Sequence, residues 1–219
     1  MNVQFTTEKA KSIPTTTASI DKKEAIFQST LSLIHEHGFH GTPMSRIALE
    51  AGVAIGSIYH YFSSKEELIL QLYLYTKDNT YQAMLMGDHA DLDYRSRFYN
   101  IWTNLVQYYM EFPAVLGFMH QFHSSPYAKM ALTNDSFCLQ DEVSNFLEEG
   151  IRNHQIKNLD IQIISAAFIG TVIATVRKHH MGEFIFDRSH MEEMAGIIWD
   201  GISTERIKSM DGRTERQQD

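Results

Sequence analysis

The sequence predicts an all-α protein: a three-helix head followed by a longer helical body. Three observations carry this. Between residues 38 and 67 two short apolar-striped segments are separated by a glycine turn, and a capping signal opens a third. Elsewhere apolar residues recur at helical spacing, with breaks at glycine and proline. No stretch alternates apolar and polar residues as a half-buried strand does.

Residues 1–19 are rich in Thr, Ser and Lys and contain Pro14, the composition of a disordered arm. Lys9 and Lys11 lie within it. The first helix is expected over 21–37, with Ile26, Thr30, Leu33 and Ile34 on one face and Gly38 ending it. Phe39 closes the small core that this helix forms behind the next two.

The next element opens at Thr42-Pro43, a capping hydroxyl followed by proline at the first helical position. Ile47, Ala48 and Ala51 form its apolar stripe. Gly52 ends it, because glycine takes the left-handed conformation without strain. After a three-residue turn, Ile55–Tyr61 forms the second short helix. Ile58 and Phe62, four apart, face inward. Gly56, Ser57, Tyr59, His60 and Tyr61 occupy the other faces. Ser64-Lys65-Glu66-Glu67 is a capping box, and a long helix follows to about residue 87. Its inward residues are expected at Leu68, Leu72, Tyr75 and Leu85.

Two short helices joined by a tight glycine turn make a helix-turn-helix. In such a motif the second helix enters a DNA major groove N-terminal end first. Ser57, Tyr59 and Tyr61 carry hydroxyls for phosphate oxygens, Lys65 carries a charge, and Gly56 and His60 are expected against base edges. Thr42, Ser45 and Arg46 on the preceding helix and Ile55 on the second complete the candidate DNA-binding set.

Beyond the head, helices are expected over about 94–111, 114–123, 127–153, 160–181 and 188–207. They are broken by Pro113, Ser124-Ser125-Pro126, the Asn158-Leu159-Asp160 cap, and Gly182 to Asp187. The charged tail from Lys208 is expected to fray. The organisation is thus an arm over 1–19, a helix-turn-helix domain over 20–66, a helical body over 67–207 and a tail over 208–219.

The segment from about 21 to 70 resembles the DNA-binding head of the tetracycline-repressor (TetR) family of bacterial regulators. The resemblance rests on Ile47-Ala48, Ala51-Gly52-Val53, Gly56-Ser57-Ile58-Tyr59, Tyr61-Phe62, Ser64-Lys65-Glu66 and Leu68 at fixed spacing. Two positions depart from the pattern. Ala54 stands where the family usually has a serine or threonine cap, and Pro43 stands where it often has a second hydroxyl. The resemblance implies a cytoplasmic homodimer on a near-palindromic double-stranded operator. It also implies a repressor whose central helices enclose a small-molecule effector pocket and whose last two long helices pair between subunits. The long helix after the motif would link head to body.

The chain has 219 residues, a net charge of −8 and one cysteine, Cys138. A single cysteine excludes an intrachain disulfide framework. Residues 1–65 carry a net +1 and the remainder −9, so the acidity lies away from the candidate DNA-binding head. The N-terminus has no continuous apolar core of a secretory signal, and no run reads as a membrane helix. No Gly-rich phosphate loop, nucleophile elbow or Cys/His pair points to catalysis, so no enzyme, metal or cofactor is expected. His120 and His123, three apart, lack the third and fourth ligands of a metal site.

The body is rich in rings, and these either fill a core or line an apolar pocket with few polar groups. The pocket candidates are Trp102, Tyr109, Phe122, Phe137, Asp141 and Phe168. The small residues Ala167, Gly170, Thr171 and Ala174 allow close helix approach. With Met194, Ile197, Ile198 and Ile202 on the last helix they are the dimer candidates. The reading that competes with a DNA-binding regulator is a helical small-molecule-binding protein with a degenerate head.

Overall fold

A computed structural model describes residues 18–89, 91–132 and 142–204. Ten α-helices are seen among the described residues: α1 (Ala18–His37), α2 (Met44–Glu50), α3 (Ile55–Tyr61), α4 (Lys65–Met84), α5 (Tyr94–Glu111), α6 (Pro113–His123), α7 (Pro126–Leu132), α8 (Glu142–Arg152), α9 (Ile161–His180) and α10 (Arg188–Ile202). They fall into two compact units, Met1–Ile69 and Leu70–Asp219.

The first unit is built on α1–α3 and the first turn of α4. Ile26, Phe27, Leu31, Leu33 and Ile34 from α1 bury against Met44, Ile47, Ala48, Ile58 and Phe62. Phe27 and Phe62 meet with ring centroids 5.5 Å apart. Lys23 lies over both rings, at 5.5 and 5.7 Å. Thr30 sits on the buried face because its hydroxyl donates to the Ile26 carbonyl at 2.6 Å.

The turn between α2 and α3 is a Schellman closure. The Val53 N–H reaches the Ala48 carbonyl at 3.0 Å and the Gly52 N–H reaches that of Leu49 at 3.2 Å. Gly52 has φ +64, the left-handed geometry this motif needs. Two caps differ from expectation. Thr42 does not cap α2: its hydroxyl donates back to the Gly38 carbonyl at 2.8 Å, and Pro43 takes the N-cap position with no side-chain bond. At α4, Ser64 Oγ accepts from the Glu67 N–H at 3.2 Å as expected. The return half of the box shifts one residue, because the Glu67 carboxylate accepts from the Ser63 N–H at 2.7 Å.

In the second unit α5 is the central helix, flanked by α9 and α10. Phe98 meets Phe168 edge-on at 5.2 Å and Trp199 at 5.2 Å. Trp102 is fully buried and its indole N–H donates to Thr171 Oγ1 at 3.1 Å. Pro113 occupies the first turn of α6, where its missing N–H costs nothing. Asp93 caps α5, accepting from the Ser96 N–H at 2.9 Å. Its carboxyl is held below the usual range by hydrogen bonds to the Ser96 backbone and side chain. Asp160 caps α9, and Asp187 with His190 closes a capping box on α10. Arg97 grips Asp88 with two parallel bonds of 2.9 and 3.0 Å and also reaches Glu149 at 3.3 Å.

Two expectations change. On α4 the buried residues of the later turns are Leu72, Tyr73, Thr76 and Met84 rather than Tyr75 and Leu85. The all-α class stands, with an isolated antiparallel bridge, Ile156 to Ser203, seen outside the helices among the described residues. And α9, with a mean hydropathy of 1.4, is long and apolar enough to cross a membrane by length and composition alone.

Candidate nucleic-acid interface and ligand cavity

On α3, Ile58 is buried while Ile55, Gly56, Tyr59 and His60 are exposed and Ser57 and Tyr61 half-buried. One helix thus presents two hydroxyl-bearing rings, an imidazole, a serine and an isoleucine away from its own core. On α2, Ser45 and Arg46 are exposed. Arg46 Nη2 lies 2.7 Å from His37 Nε2, which orients the guanidinium. Thr42 is fully buried, so its side chain stays inside the first unit. Lys65 is anchored: its ammonium donates to the Phe39 carbonyl, and burial lowers its pKa. Anchoring leaves the ammonium two further N–H donors at the start of α4.

The second unit contains a cavity of about 380 Å³. Its α4 wall is Tyr73, Lys77, Thr80, Tyr81 and Met84. Leu105 and Tyr109 come from α5, Leu116, Met119, His120 and His123 from α6, and Ile169 and Ile173 from α9. Glu142 and Val143 close it from α8. Thr76 donates to Met119 Sδ at 3.5 Å. The lining is mostly apolar, with Lys77, His120, His123 and Glu142 as its basic and acidic side chains.

Of the ring candidates, Tyr109 lines this cavity. Phe122 is fully buried and stacks at 4.1 Å on Tyr73, so it backs the wall. Trp102 and Phe168 are fully buried in the α5–α9 core and do not line it. Phe137 and Asp141 lie outside the described residues, as do Cys138, Lys9 and Lys11. No group of three metal-ligating side chains occurs among the described residues.

The α9 candidates Ala167, Gly170 and Ala174 are exposed, and Ile163, 65 % exposed, extends their row at four-, three- and four-residue steps. That spacing is present in the sequence, and Ile163 falls outside a face drawn from small residues alone. Thr171 is half-buried, its hydroxyl donating into the helix carbonyls and accepting from Trp102. On α10, Ile197 is 68 % exposed and Met194 half-buried, but Ile198 (6 %) and Ile202 face the interior of the subunit.

Comparison with known proteins matches both units. Residues 26–72 match the family of bacterial regulatory proteins called tetR, and residues 94–203 match a tetracyclin repressor-like C-terminal domain. An uncharacterised HTH-type transcriptional regulator of Haemophilus influenzae is 30% identical over 139 residues, 60% of this chain and 74% of that protein. A TetR family transcription regulator from Marinobacter aquaeolei VT8 superposes with a TM-score of 0.74 at 23% identity, over 84% of this chain and 96% of that one. A TetR-family regulator from Haemophilus influenzae superposes with a TM-score of 0.70 at 22% identity, over 85% and 98%.

Proposed function

We propose how this chain acts from one premise: it belongs to the tetR family of bacterial regulatory proteins and is a helix-turn-helix transcriptional regulator. In our reading two copies bind a near-palindromic operator, each placing α3 in a major groove. An apolar small molecule entering the cavity releases them, so the protein represses. It works in the cytoplasm and catalyses nothing.

The observation that carries ligand control is the run of α4. This helix starts in the first unit at Lys65, and its turns from Tyr73 to Met84 form one wall of the cavity. A ligand that pushes on that wall changes the helix on which the head is mounted. It shifts the DNA-binding population only by the difference in its affinity for the two arrangements. Tyr59, Ser57, Tyr61, Arg46 and Lys65 supply phosphate contacts, and Ile55, Gly56 and His60 face the base edges. Pairing of two copies rests on the α9 row of Ile163, Ala167, Gly170 and Ala174 together with Ile197. These residues leave α9 apolar and exposed, which water disfavours. A second copy buries them without any membrane.

The test is a melting screen of neutral and charged amphiphiles, followed by operator binding with the hits. The proposal expects at least one compound that raises the melting temperature and weakens operator binding by tenfold or more, about 1.4 kcal/mol of coupling. Compounds that stabilise the protein yet leave operator affinity unchanged would contradict ligand control.

A further inference from the structure

Three successive residues at the start of α3 each carry a local cost that the fold does not explain. Ala54 is the N-cap residue and makes no side-chain cap bond, where Ser, Thr, Asp or Asn would satisfy a helix N–H. Ile55 is 44 % exposed, while its neighbour Ile58 already fills the core beneath. Gly56 has ordinary helical backbone, and a Cβ placed on it would meet nothing within 4 Å. Glycine weakens a helix relative to alanine, and here neither the turn nor the packing asks for it. Adjacent departures of this kind mark a surface shaped for a partner rather than for the fold.

The chemistry of the same stretch narrows the partner's features. From Ala54 to Tyr61 the sequence is AIGSIYHY. It contains no Arg or Lys to pair with guanine, no Asn or Gln to pair with adenine, and no Asp or Glu to accept from cytosine. Apart from the Ser57 hydroxyl and the His60 imidazole, the direct readout this stretch offers in a major groove is apolar contact with the thymine C5-methyl group. Residues at the N-terminal end of the second helix are the ones a helix-turn-helix brings to the base edges.

We propose that α3 reads its operator by close apolar contact: Gly56 lets the helix backbone approach the base pairs, and Ile55 packs on a thymine methyl in each half-site. This rests on the DNA-binding reading above and adds to it the chemistry of the operator. His60 is then the side chain on this face with ring nitrogens for a base edge.

The test uses the full chain. Binding sequences are selected from a pool of randomised duplexes, and each thymine of the selected duplex is replaced in turn by deoxyuridine, which removes only the methyl. One symmetry-related pair of thymines should matter, each methyl being worth about fourfold in affinity and the pair about fifteenfold. Ile55→Ala should bind the thymine and uracil duplexes equally. Its side chain is exposed, so its melting temperature should match the wild type. Gly56→Ala should melt at the same or a higher temperature and lose at least about tenfold in affinity. Uracil tolerated at every position by the wild type would overturn the proposal. So would an undiminished thymine preference in Ile55→Ala, or wild-type affinity in Gly56→Ala. A pool that yields no enriched sequence sinks the DNA-binding reading and this one with it; enrichment with indifference to uracil sinks this one alone.

Discussion

Helices α3 and α9 each leave a face outside the core of their own unit, and those faces are made of different residues. The α3 face carries rings, a hydroxyl, an imidazole and a bare glycine, with Tyr59 53 % exposed. The α9 face carries isoleucine, alanine and glycine in a row from Ile163 to Ala174. Side chains that offer hydroxyls and flat rings suit a hydrated, charged, grooved partner. Small aliphatic residues at helical spacing suit another helix, because they let backbones approach and expel water. Exposure alone therefore does not identify a partner; the chemistry of what is exposed does.

Two neighbouring residues on α10 should respond most differently to the same substitution. Ile198→Glu places a charge in the subunit core, so the fold itself should fail or lose about 3–5 kcal/mol. Ile197→Glu, one residue earlier, should leave thermal stability of the single chain close to normal and abolish dimerisation. Sedimentation and melting of the two variants decide it. If Ile197→Glu sediments as a dimer, the α9–α10 face is not the interface.

A second pair separates core from cavity. Phe168→Ala should cost about 3–5 kcal/mol by opening a void against Phe98. It should leave the order of ligand affinities unchanged, since Phe168 does not line the cavity. Ile173→Trp should fill the cavity, abolish ligand binding and leave operator affinity within about threefold of wild type. Calorimetric titration with any ligand found in the screen checks both. Equal loss of ligand binding in both variants would erase the distinction.

How much of this was legible in the sequence follows the range of each interaction. Gly52, Ser64 and the inward pair Ile58 and Phe62 act within a few residues, so the head could be read directly. Asp160 and Pro113 likewise set the ends of body helices. The cavity could not be read that way. Trp102 and Phe168 are as aromatic as Tyr109, and only the packing of α5 on α9 decides that two fill a core while the third faces a cavity. Ile197 and Ile198 fall on one stripe by spacing, yet they lie about 100° apart around the helix, and the edge of the buried face runs between them: Ile198 is buried and Ile197 exposed. The anchoring of Lys65 is not legible locally, because its acceptor, the Phe39 carbonyl, lies 26 residues away.

Smaller effects sharpen the same contrast between locally and globally determined features. Ser64→Ala should cost about 1 kcal/mol through loss of the α4 cap. Thr175, on the inner face of α9, has a buried hydroxyl with no hydrogen-bond partner among the described residues. Thr175→Val should therefore be neutral or stabilising by up to about 1 kcal/mol, without effect on dimerisation. Chemical denaturation of each variant supplies the numbers.

In the proposed mode of action, α3 binds a specific duplex and two chains do so together. Fluorescence anisotropy of the selected duplex, titrated with the full chain over a range of salt, tests it most directly. Saturation is expected at two chains per duplex, with a dissociation constant of about 10⁻⁸ M or tighter near physiological salt. Affinity should fall steeply as salt rises, and Tyr59→Ala should bind at least about tenfold more weakly. A titration that saturates at one chain per duplex, or one no tighter than a scrambled duplex of the same length, would contradict it.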